Sequence, residues 1–124
     1  MSIKTKRWND PRAPDDGFRL LICRYRPRAL RKADETWDAW WKELGPSREL
    51  HADFWGKHGP PIGWEEYRTR YLREIRSQHA RIAELGARIK AGETLTLLCS
   101  KACTDETHCH RSLLRTLIEE AAKV

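Results

Sequence analysis

Two short, largely apolar runs stand out from a chain otherwise dense in charge: FRLLIC at 18–23 and TLTLLC at 94–99. Continuous apolarity over six residues suits a strand buried on both faces, as in a parallel sheet, better than the alternation of a half-exposed one. The turn-rich segment DPRAPDDG (10–17) precedes the first run, and Gly17 closes it. IKTKRW (3–8) reads as a further, more polar strand. After FRLLIC the chain leaves as a basic loop, RYRPRALRK (24–32), where Pro27 excludes a continued ladder.

Elsewhere the apolar positions recur at helical spacing. Trp37, Trp40, Trp41 and Leu44 fall at i, i+3, i+4 and i+7, so Asp34 is expected to cap a helix that buries this tryptophan face. Trp41 or Trp55 is left to line a cleft. Gly45-Pro46 stops that helix, and Ser47 caps a second, short one with Leu50 and Phe54 inward. GKHGPPIG (56–63) is a rigid connector. From Trp64 onward Tyr67, Tyr71, Ile75, Ile82, Leu85 and Ile89 form one long stripe ending near Gly92, with Gly86 the expected bend. Leu113, Leu114, Leu117, Ile118 and Ala121 define the last helix.

Strands separated by helices predict an α/β fold: a small single domain over residues 1–124, with a mostly parallel central sheet of about three strands flanked by helices. FRLLIC and TLTLLC are expected to be parallel neighbours. In such sheets ligands bind beyond the C-terminal strand ends. That would bring Arg24, Arg26 and Arg28 to Cys99, Cys109, His110 and Arg111.

At 124 residues, 40% hydrophobic and 34% charged, the composition is that of one globular unit. No run approaches the roughly 20 apolar residues of a membrane span, and MSIKTKRWND lacks a secretory apolar segment, so the cytoplasm is the expected compartment. There, clustered thiols are more often reactive groups, metal ligands or packing than disulfides. The net charge of +6, from 24 Lys plus Arg against 18 acids, points to an anionic partner, either a small molecule or nucleic acid.

The densest chemistry lies in CSKACTDETHCHR (99–111). Cys109-His110-Arg111 opens the last helix, where free backbone N–H groups and the partial positive charge favour a thiolate. Cys109 is thus the candidate nucleophile, His110 its acid/base partner, and Cys99 a second thiol facing the same crevice. Arg24, Arg26, Arg28 and Arg111 are the candidate anion-binding residues. A metal is the competing use: Cys99, Cys103, Cys109 and either His108 or His110 could supply a tetrahedral zinc. The spacing C-x3-C-x5-C departs from the usual C-x2-C knuckle, which leaves Cys99, Cys109 and His110 as the metal candidates, for zinc or iron. Cys103 reads as an exposed bystander.

The segments PDDGFRLLICR, RPR, DAWWKELGPSRELHADFWGK and WEEYRTRY, with TLLC followed by CHRSLL, together resemble the domain of unknown function 488 family in its YeaO-like branch. The likeness runs nearly the whole length and implies a compact α/β domain with polar groups at strand ends, rather than a named activity. Relatives typically carry D-R-L-W-P-R-G after the second strand. Here Cys23-Arg24-Tyr25-Arg26-Pro27-Arg28-Ala29 keeps Arg24, Pro27 and Arg28. The C-H-R triplet at 109–111 and the strand-ending Cys99 match the broader family, whereas Cys103 belongs to no such pattern. Three functions follow as expectations: an enzyme-like domain binding an anionic, phosphate-bearing or nucleotide-like small molecule; a non-catalytic nucleic-acid-binding module; and a Cys/His metal-binding or redox-sensing protein.

Overall fold

The computed structural model describes residues 2–123. Four parallel strands form one sheet: β1 (Ser2–Arg7), β2 (Phe18–Leu21), β3 (Ala39–Trp40) and β4 (Thr94–Cys99), in the order β1-β4-β2-β3. The two apolar runs are parallel neighbours as expected, with Leu20 opposite Leu97 and Leu21 opposite Leu98. One strand more than expected is present, and it is β3.

β3 lies within the segment expected to be helical. Asp34 ends a single turn of 3-10 helix (Lys32–Asp34) instead of capping an α-helix. The reason is competition for backbone donors. Asp38 N–H donates to Arg19 O (2.7 Å) and Trp41 N–H to Leu21 O (3.0 Å), so the edge of β2 takes the groups a helix would have used. The Asp38 carboxylate also accepts from Arg19 N–H at 2.8 Å. The tryptophans therefore do not share a buried face. Trp37 and Trp41 are half-buried and Trp40 is exposed, which corrects the expected burial of Trp37 with one of its neighbours.

Ser47 caps α1 (Arg48–Phe54) as expected, its Oγ accepting from Leu50 N–H while donating to Glu74. The long stripe is two helices, α2 (Trp64–Glu74) and α3 (His79–Lys90), joined by a 3-10 turn at Ile75–Gln78. Gly86 is not the bend. A Cβ there would lie 3.0 Å from both Ala121 Cβ and Ala122 N, so the glycine lets α3 approach α4 (His110–Ala122) closely. These helices bury Leu20, Leu97, Leu85, Leu114 and Ile118 between themselves and one face of the sheet. No helix among the described residues is long and apolar enough to cross a membrane.

The other face is covered differently. Leu21, Cys23, Leu98 and Cys99 pack against Trp8 and Trp37 from the loops, which meet edge-to-face with centroids 6.4 Å apart. Arg19 points to this face and is wholly buried. Its partner is the equally buried Asp16, whose carboxylate also accepts from Lys6 (2.9 Å), Lys4 (3.2 Å) and Ala13 N–H (3.0 Å). Thr96 Oγ donates to the Asp16 carbonyl at 2.7 Å. Gly17 follows at φ +64°, and a Cβ there would sit 2.2 Å from Thr94 O, so only glycine passes.

Burial alone would raise the Asp16 pKa, but the hydrogen bonds from Lys6, Ala13, Lys4 and Arg19 outweigh it and hold the carboxyl well below the usual range. Asp16→Asn leaves the Arg19 charge buried without its counter-ion. We expect a loss of about 3–5 kcal/mol in urea unfolding at neutral pH. A folded-state pKa below the unfolded one stabilises fully above the unfolded value of about 3.9 and is lost as pH falls through the folded one. The gap between parent and variant should therefore narrow below about pH 4. A gap that is constant with pH would show that Asp16 contributes by packing alone.

Candidate functional site

Past β2 the chain keeps running alongside β4, with Ile22 N–H donating to Leu98 O at 3.0 Å. Cys23 and Cys99 therefore leave the sheet together, and the 100–109 turn folds back to add Cys103 and Cys109. Cys99 Sγ lies 3.2 Å from Cys103 Sγ and 3.3 Å from Cys109 Sγ. The sulfurs of Cys99, Cys103 and Cys109 all lie within 4.8 Å of one another, close enough to hold one metal ion. Cys23 packs into the same group, and all four cysteines are free thiols.

His110, at the start of α4, is buried over Tyr71. Its Nε2 lies 2.9 Å from the Ile22 carbonyl, which can only accept, so Nε2 carries the proton. The Nδ1 lone pair is then turned toward Cys99 and Cys109, at 3.9 and 4.0 Å. Burial lowers the His110 pKa, keeping the ring neutral.

Sulfurs this close cannot all ionise, so the environment of each decides which gives up its proton most readily. The Cys103 thiol is pushed down because Cys109, then Cys99, donate to its thiolate. Cys109 is pushed up by the same contacts to Cys103 and Cys99, and further by burial. Cys99 is raised as well, first by Cys103. This reverses the expectation of a lowered pKa at Cys109. A helix N-terminus favours an anion, but Cys109 is 2% exposed and packed against the sulfurs of Cys99 and Cys103. Cys103 belongs to the same cluster of sulfurs.

The thiols floor a cavity of about 90 Å³ walled by His51, Phe54, Trp55 and Tyr67. Cys23, Arg24, Tyr25, His51 and Ser100 line both this cavity and an adjoining groove of about 950 Å³. Arg24, Arg26 and Arg28 line the groove as the basic loop suggested. Arg24 Nε donates to Pro46 O (2.8 Å) and Arg26 pairs with Glu35 (2.8 Å), leaving Arg28 exposed. Arg111 is not brought into the cleft. It is buried, donates to Cys103 O (3.3 Å) and has an unpartnered Nε. Lys42, Arg48, Lys57 and Lys101 complete the groove from four separate segments, and no local motif announced them.

A family model described as "DUF488-N3a: Active DUF488-N3 subclade" matches residues 3–122. "Uncharacterized protein YeaO" of Escherichia coli (strain K12) is 38% identical over 108 residues, covering 87% of this chain and 90% of that protein. "Uncharacterized protein Rv3073c" of Mycobacterium tuberculosis (strain ATCC 25618 / H37Rv) is 39% identical over 72 residues, covering 58% of each chain. "Uncharacterized protein Mb3100c" of Mycobacterium bovis matches with the same identity and coverage. No solved structure matches the chain.

Reactivity should follow the thiolate and its exposure. With limiting iodoacetamide at pH 7, peptide mapping should find Cys103 alkylated about tenfold faster than Cys99 or Cys109. First labelling at Cys109 would reverse this assignment of the charge.

Proposed function

The chain belongs to the DUF488 family, and within it we propose that it is an enzyme-like domain acting through a thiol on an anionic, phosphate-bearing or nucleotide-like molecule. One observation carries this reading. The thiol-floored cavity opens into a groove whose lining includes seven Lys or Arg side chains and no carboxylate. Arg24 and Arg28 hold the anion. Cys103 is the nucleophile, because it is the least buried of the clustered thiols and two S–H groups stand ready to stabilise its thiolate. Cys99 and Cys109 donate those hydrogen bonds. The neutral His110, anchored through Nε2, offers Nδ1 to take a proton from either.

A second reading rests on the same sulfurs. Cys99, Cys103 and Cys109 with His110 Nδ1 nearby make a soft donor set, and the bond from His110 to Ile22 O is the outer contact that orients an imidazole ligand. In that case the cluster holds zinc or iron.

Alkylation separates the two. Under the first reading iodoacetate gains on iodoacetamide relative to their ratio with free cysteine, since the groove attracts the charged reagent. Millimolar pyrophosphate should slow labelling, and the double variant Arg28→Glu, Lys101→Glu should remove both effects, each about tenfold. Absence of protection and of any preference for the anion would overturn it. One equivalent of zinc or iron in protein purified without chelator, blocking alkylation until stripped, would establish the second reading instead.

A further inference from the structure

Three large apolar side chains are exposed among the described residues, Tyr25 (45%), Trp40 (36%) and Trp55 (44%), and all three line this one cleft. Exposed aromatic area gathered in one place marks a recognition surface. Trp40 is also held in position, its Nε1 donating to Cys23 O at 2.7 Å. Tyr25 is braced edge-on against His51, with centroids 5.1 Å apart.

Interleaved with these rings are Arg28, Lys42, Arg48, Lys57 and Lys101, all exposed. None has an ion-pair partner among the described residues, although the surface elsewhere pairs Arg70 with Asp53, Arg81 with Glu43 and Arg88 with Glu93. Five unpaired cations in one groove repel one another, and a single phosphate, with at most two negative charges, cannot satisfy them. A chain of phosphates can.

We propose that this groove binds single-stranded nucleic acid. Its phosphates run along Arg28, Lys42, Arg48, Lys57 and Lys101, bases stack on Tyr25 and Trp40, and one base reaches the aromatic-walled cavity above the thiols. Stacking suits a strand of any sequence, because every base has a π-face. A duplex has its bases already stacked on one another and offers the exposed rings no free π-face. The inference rests on the site proposed above for the base that enters the cavity, but the groove itself does not depend on the thiols.

The test is fluorescence anisotropy with a labelled oligothymidylate of about ten nucleotides. Titrations run at several salt concentrations, against thymidine monophosphate, a duplex of equal length and polyglutamate. Log affinity should fall against log salt with a slope of about −2 to −3.5, as expected for three to five phosphate contacts. Lys42→Glu with Lys101→Glu should weaken binding at least about tenfold and flatten that slope. Tyr25→Ala, on an exposed side chain, should weaken binding about tenfold and leave the slope unchanged. Tryptophan emission should fall as the strand binds.

Equal or tighter binding of the duplex, of the monophosphate or of polyglutamate overturns the proposal, as does no binding of the strand at low salt. If the strand binds while Cys103 proves unreactive, only the thiol chemistry falls. If pyrophosphate protects Cys103 while the strand does not bind, only the present inference falls.

Discussion

One buried carboxylate aligns most of this sheet. Asp16 sits at the N-terminal side of three strands, receiving Lys4 and Lys6 from β1 and Arg19 from β2, while its carbonyl holds Thr96 of β4. A buried ion pair is not itself a strong source of stability, since desolvating two charges offsets most of their attraction. Its value here is geometric. β1 and β2 are joined by a loop of about ten residues with no helix to brace the crossover, and most parallel connections need a longer one. The Asp16 network substitutes for that brace. With the strands pinned at one end, β2 and β4 finish together at the other, and Cys23 meets Cys99.

The same arrangement explains how the sheet can be parallel throughout with helices on one face. Parallel sheets need both faces covered. Here α3 and α4 cover one, while the 8–17 loop, Trp8 and Trp37 cover the other. Arg19, an apparent interruption in an apolar run, fits because that second face is polar at its N-terminal end and apolar only toward the thiols.

These contrasts decide what was legible in the sequence. β2, β4, the Ser47 cap and the stripes of α2, α3 and α4 follow from local pattern, and so does their parallel pairing. The tryptophan segment at 37–44 did not, because helical spacing says nothing of a strand edge that offers Arg19 O and Leu21 O to the same backbone donors. Cys99, Cys109, His110 and the arginine loop were brought together as the topology implied. Cys103 is less buried than the other cysteines, as expected, but a turn places its sulfur 3.2 Å from Cys99, a proximity that spacing alone does not reveal. Arg111 was misplaced for a related reason, since helix phase turns it beneath the loop instead of into the cleft. Lys42, Arg48, Lys57 and Lys101 converge only in three dimensions.

Strand ends leave carbonyls without ladder partners, and each such group buried unpaired would cost about 1–3 kcal/mol. Around the cleft, side chains meet that need. His110 meets Ile22 O and Trp40 meets Cys23 O just past β2, while Arg24 meets Pro46 O and Arg111 meets Cys103 O in the loops. The orientation of His110, Trp40 and Arg24, which line the cleft, is thus set by backbone hydrogen bonding. The same bonds mean that replacing His110, Trp40 or Arg24 perturbs the fold as well as the cleft lining. The side chains of Arg28, Lys101 and Tyr25 carry no such bond to a backbone carbonyl, and the Cys103 side chain meets its neighbours through sulfur. At those positions a loss of binding or reactivity reports on the cleft itself.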